Sequence, residues 1–129
     1  MTDEALRRLL DYDRRRYGLT NGWTIRFRVM EVAQTTARPH GIRYAFTLHD
    51  ANRTRLLGFD NAHGLPRSQT YDHRHRFRRP AELVAYDFLG ADALICDFFD
   101  AVERACRQEG VAFEFETEDL ELDEPDETD

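Results

Sequence analysis

A chain of 129 residues, 41 % apolar and 12 % aromatic, supports one hydrophobic core and argues against global disorder. Its formal charge of −7 sits mostly at one end: residues 118–129, EDLELDEPDETD, hold eight acids and no base, and the remainder holds eighteen basic side chains against seventeen acidic ones. Net acidity is therefore weak ground for excluding a nucleic-acid partner. All eighteen cations are arginine, which does exclude lysine Schiff-base and lysine general-base chemistry.

Residues 3–17, DEALRRLLDYDRRRY, place Leu6, Leu9, Leu10 and Tyr17 near one helical face. Asp3 and Glu4 suit the start of that helix and the arginines at 14–16 its end. From Trp23 the period becomes two, with Trp23, Ile25, Phe27 and Val29 on one face of a half-buried strand. Ile42, Tyr44, Phe46 and Leu48 alternate as a second strand, and Leu56, Leu57 and Phe59 form a short third, so an antiparallel meander is expected. TYDHRHRF, residues 70–77, is a fourth candidate strand, followed by a connection with a short strand at Leu83–Tyr86. Residues 91–109 are the clearest helix, with Leu94, Ile95, Phe98, Phe99, Val102 and Cys106 at helical spacing and Gly110 where a left-handed cap belongs. Val111, Phe113 and Phe115 alternate as a last strand. Cys96 and Cys106 fall about 15 Å apart along one helix, too far to pair, and read as small core residues.

These elements define an α+β fold: a largely antiparallel β-sheet packed against a long C-terminal helix, with an N-terminal helix. Residues 1–117 form its single domain, and residues 118–129 read as a disordered acidic tail. No run approaches the eighteen apolar residues of a membrane span, and MTDEALRRLL lacks the layout of an export signal, so a cytoplasmic location without membrane contact is expected.

Residues 59–79, FDNAHGLPRSQTYDHRHRFRR, gather three of the five histidines and five arginines. On a strand Tyr71, His73, His75 and Phe77 share one face, with Asp72, Arg74, Arg76 and Arg78 on the other. Asp60, Asn61 and His63 lie at the exit of the third strand, within reach of the fourth if the two pair. Two imidazoles on one face can carry both proton transfers of metal-free RNA cleavage, and arginine can clamp the phosphate. Candidate catalytic residues are therefore His63, His73 and His75; candidate substrate contacts are Asp60, Asn61, Tyr71, Arg74 and Arg76. Alternation sets Arg74 opposite His73, so Arg74 joins the site only through a bulge or a strand end. The same His63, His73 and His75 with Asp60 could instead hold a divalent metal such as zinc or manganese. A third reading keeps the arginines as a non-catalytic nucleic-acid or protein-binding surface, and a fourth treats the stretch as a polar loop. His40 and His49 sit at strand boundaries with no evident partner.

Together, YAFTLHD, LLGFDNAH and DHRHR resemble the TumE-type toxins of bacterial toxin–antitoxin systems over roughly residues 42–109. Asp60, Asn61 and His63 match one element of that family, and His73, Arg74 and His75 match another. Gly58-Phe59 and Asp72-His73 depart from it, where the family has arginine-tyrosine and proline-histidine. The resemblance implies a small ribonuclease-like toxin, made beside a small DNA-binding antitoxin that blocks it; the acid–base reading of the histidines expects an RNA substrate and no cofactor. A homodimer is compatible with it.

Overall fold

A computed structural model describes residues 4–62 and 72–119, with Pro80 and residues 117–119 as main chain alone. The order is α1 (Glu4–Leu10), β1 (Arg16–Leu19), β2 (Thr24–Glu31), β3 (Ile42–His49), β4 (Arg55–Asp60), β5 (His73–Arg76), β6 (Arg79–Ala85), α2 (Ala91–Glu109) and β7 (Phe115–Asp119). The seven strands form one sheet, ordered β6-β5-β4-β3-β2-β1-β7, and every neighbouring pair is antiparallel. It is the expected α+β meander, with the last strand added beside β1.

Period-two alternation gives the sheet two unlike faces. Phe27 pairs with Phe46 and Phe46 with Phe59, so these rings share one face with Ile25, Val29, Tyr44 and Leu48. α2 lays Phe98 onto that face, 5.5 to 5.8 Å from the Phe27, Phe46 and Phe59 ring centres. α1 packs beside α2, burying Leu9. Both helices thus cover one face, and among the described residues no helix covers the other. Gly110 ends α2 at φ 72°, a left-handed conformation that favours glycine, and the Val111 N–H closes onto the Cys106 carbonyl.

Several elements differ from expectation. The first helix ends at Leu10 rather than continuing to residue 17. Arg14 takes a left-handed conformation (φ 71°) and donates its N–H to the Phe27 carbonyl at 2.8 Å, while the Asp13 carboxylate accepts the Val29 N–H at 2.9 Å. Those bonds turn the chain into β1, where Tyr17 and Leu19 are buried by alternation. Phe77 and Arg78 form the tight turn of a β5–β6 hairpin, so β5 stops at Arg76 and β6 already begins at Arg79. The final strand starts at Phe115 and runs two residues into the segment read as tail. Cys106 is buried as expected, but Cys96 is exposed on the outer side of α2.

Candidate active site

The pairing of β4 with β5 sets Asp60 opposite His73 and Gly58 opposite His75, so Asp60 and both imidazoles share the helix-free face. His73 Nε2 lies 3.3 Å from Asp60 Oδ1, and His75 Nε2 lies 3.2 Å from Asp60 Oδ2. The two rings meet edge to face with centroids 5.0 Å apart. The Ala62 N–H also donates to Asp60 Oδ1, at 3.1 Å.

Burial pushes the Asp60 carboxyl upward, yet the hydrogen bonds from His73 and His75 outweigh it and hold the group well below the ordinary carboxylate range. Asp60 is thus an ionised, acceptor-only group, and each facing Nε2 must carry the proton. A neutral ring then keeps its lone pair on Nδ1. The side chains of His73 and Asp60 are 2 % and 7 % exposed, against 11 % for His75, which makes His75 the more accessible imidazole.

Asn61 follows Asp60 onto the helix face and is fully buried. Its Oδ1 accepts the Tyr44 N–H at 2.9 Å and its Nδ2 donates to the Ile42 carbonyl at 2.8 Å, so the side chain continues the β3–β4 ladder past the end of β4. Arg38 clamps the same exit, donating to the carbonyls of Asn61 at 2.8 Å and Ala62 at 2.7 Å. Nothing in the sequence around Arg38 signalled that contact.

Arg74 pairs across from Phe59 and therefore stands on the helix face, opposite the imidazoles. With Arg76, Arg79 and Arg104 it lines a cleft of about 360 Å³ between the sheet and α2. Arg76 and Arg79 both face Glu82, at 3.4 and 3.5 Å. Alternation sets Arg74 on the face opposite the imidazole rings, although His75 also contributes to the lining of this cleft. His63 and Tyr71 lie outside the described residues.

A second buried carboxylate was missed. Asp72 accepts the Tyr44 hydroxyl at 2.7 Å on Oδ1, and His40 Nε2 sits 3.0 Å from its Oδ2. The His40 ring stacks on Phe88 with centroids 3.8 Å apart, so this histidine does have partners, contrary to expectation. Burial, and then the adjacent Asp72, raise the Tyr44 phenol far above its ordinary value, so it remains protonated and donates. His49 is likewise engaged, with Nε2 2.8 Å from the Thr47 hydroxyl.

The convergence of two imidazoles on one buried carboxylate suits proton transfer, and it also suits metal ligation. One ligand atom from each of Asp60, His73 and His75 falls within 4.8 Å of the others.

The fold and the cluster define a small antiparallel α+β protein with a largely buried carboxylate–imidazole centre on the sheet face opposite its helices. A family profile described as Toxin TumE matches residues 6–106, and the chain belongs to that toxin family. The match overlaps the resemblance seen in residues 42–109 as far as residue 106 and extends it back to residue 6, inside α1. No curated protein and no solved structure matches the chain. No helix among the described residues is long and apolar enough to cross a membrane.

Proposed function

We propose that this toxin cleaves RNA by metal-independent acid–base chemistry centred on Asp60 and His75. The observation that carries the reading is the Asp60 carboxylate sharing its two oxygens between the Nε2 atoms of His73 and His75. A carboxylate on Nε2 fixes the tautomer, so His75 offers Nδ1 as the base that takes a 2′-hydroxyl proton. The freed 2′-oxygen attacks the adjacent phosphorus, the bond from phosphorus to the 5′-oxygen breaks, the departing 5′-oxygen takes a proton from water, and a 2′,3′-cyclic phosphate remains. Asp60 stabilises the imidazolium so formed. His73, the least exposed of the three, positions the carboxylate, while Asn61 and Arg38 hold the end of β4 that presents it. Membership of a toxin family further supports a cognate antitoxin, in our reading a small DNA-binding protein that blocks this site.

Purified full-length protein should cleave single-stranded RNA in EDTA, and His75→Ala should lose about 100-fold or more of that rate while melting as the parent does. Full activity in His75→Ala would remove the mechanism. The 4.8 Å cluster favours one second reading, a divalent-metal phosphodiesterase held by Asp60, His73 and His75. Activity abolished by chelator and restored by zinc or manganese would select it.

A further inference from the structure

A groove runs beside α2 on the helix side of the sheet, and its charge changes sign along its length. Asp97, Asp100, Arg104 and Gln108 recur every three or four residues, so α2 turns one polar stripe toward the β5–β6 hairpin over about 16 Å of its axis. The half nearer the end of α2 is the cleft of about 360 Å³ that holds Arg74, Arg76, Arg79 and Arg104 and, among the described residues, no carboxylate. The other half is a recess of about 400 Å³ bordered by Tyr86, Asp87, Leu89, Asp97 and Asp100. Phe59, Arg74 and Arg104 line both halves, which makes them one groove.

The basic half is under-neutralised. Arg74 is half-buried, and neither it nor Arg104 makes an ion pair or a side-chain hydrogen bond with any described residue, Asp97 and Asp100 included. Arg76 and Arg79 share a single carboxylate, Glu82, at 3.4 and 3.5 Å. Four guanidiniums against that one acid leave three positive charges around the cleft. A guanidinium drawn out of water needs its donors met, and its planar fork takes phosphate oxygens two at a time. One phosphate monoester, with about two negative charges, cannot neutralise that excess, whereas a diphosphate can.

The acidic half suits the other end of such a molecule. Leu89 is 74 % exposed beside the half-buried Tyr86 ring, an apolar ledge next to the carboxylates. The Tyr86 hydroxyl donates to Asp97 Oδ2 at 2.6 Å, while the Asp100 side chain has no hydrogen bond or ion pair among the described residues. An ionised carboxylate only accepts, so it selects a ring edge that presents donors. Guanine offers two N–H groups side by side, which one carboxylate can accept together; adenine sets a donor beside an acceptor.

We propose that this groove binds a guanine nucleoside diphosphate, its phosphates on Arg74, Arg76, Arg79 and Arg104 and its base on the ledge of Tyr86 and Leu89, N–H edge toward Asp100. So placed, the ligand joins α2 to β5, the strand whose opposite face carries the His73 and His75 rings. The site stands apart from the ribonuclease reading.

The test is titration calorimetry of full-length protein with GDP, ADP and pyrophosphate in EDTA, which removes any metal bridge to the Asp60 cluster. GDP should bind about 10-fold or more tightly than ADP or pyrophosphate. Arg74→Gln/Arg104→Gln should weaken GDP about 10-fold or more, and Arg104→Gln alone, a change at an exposed position, should weaken it in the same direction. Arg107→Gln, at a side chain that pairs with Glu103 and does not line the groove, should keep the parental affinity. Asp100→Asn should bring GDP down to the level of ADP without weakening pyrophosphate. Thermal melts establish that each variant is folded. No binding of GDP at millimolar concentration, parental affinity in Arg104→Gln, or an equal loss in Arg107→Gln overturns the site. Equal affinity of the parent for GDP, ADP and pyrophosphate also overturns it, since the acidic half then reads no base. None of these measurements involves RNA, so this site and the ribonuclease reading fail separately.

Discussion

Asp60 and Asp72 are both buried carboxylates with two polar side-chain partners, yet they stand on opposite faces of one sheet and differ in what they hold. Asp60 holds two imidazoles, one on each carboxylate oxygen. Asp72 holds a phenol that burial keeps protonated and an imidazole stacked against Phe88. In the proposed mechanism the first arrangement takes a proton from the substrate; the second ties the start of β5 to β3 and the segment at residue 40. Proposed chemistry and anchorage thus alternate along the same short stretch: Asp72 turns to the helix face and fixes the strand, while His73 and His75 turn to the opposite face, against Asp60.

Exchanging each carboxylate for its amide tests that division most strongly. Asp60→Asn should lower RNA cleavage about 100-fold to 10,000-fold, because an amide can donate to Nε2 and so favour the tautomer in which Nδ1 carries the proton. Asp72→Asn should lower the melting temperature and leave cleavage per folded molecule within about 10-fold of the parent. Equal losses of cleavage in both, measured beside thermal melts, would erase the distinction.

Tyr44→Phe should come next in size, leaving one oxygen of a buried carboxylate without its donor at a cost of about 1–3 kcal/mol in urea unfolding. A neutral result would mean that water replaces the hydroxyl and that the anchor is weaker than its geometry suggests.

The depressed Asp60 carboxyl gives a pH test of the other cluster. A group whose folded value lies below its unfolded value of about 4 contributes fully above that pH, and its contribution is lost as pH falls toward the folded value. Denaturant unfolding below about pH 4 should therefore show a shallower acid loss in Asp60→Asn than in the parent. Parallel acid limbs would mean that Asp60 is not held ionised by its histidines.

The smallest effect concerns residues 120–129, which carry six acids. Ending the chain after Asp119 keeps β7 whole and removes that charge, so RNA affinity at low salt should rise a few-fold and converge with the parent at high salt. A change in melting temperature instead would assign those residues a structural part.

Much of this architecture was legible because alternation and helical periodicity are strong signals in Thr24–Glu31, Ile42–His49 and Ala91–Glu109. The N-terminal error has a physical cause. Leu6, Leu9, Leu10 and Tyr17 fit a helical face, but the strand that begins at Arg16 exists through its pairing with β2 and β7, and four residues carry too little local pattern to announce it. The site divides the same way. The spacing of His73 and His75 put both rings on one face, and the β4–β5 pairing brought Asp60 to them. The same spacing put Arg74 on the other face, a separation that only the sheet's register could turn into a functional distinction. Asp72, Tyr44 and His40 escaped notice because their contacts join residues 28 and 32 positions apart.

The central claim meets its most direct test in the products of one reaction: single-stranded RNA, and DNA of the same sequence, incubated with the purified chain in EDTA. The account predicts that RNA is cut to fragments ending in 2′,3′-cyclic phosphate while the DNA stays intact. Equal cleavage of DNA, or cleavage that stops in chelator, would contradict it.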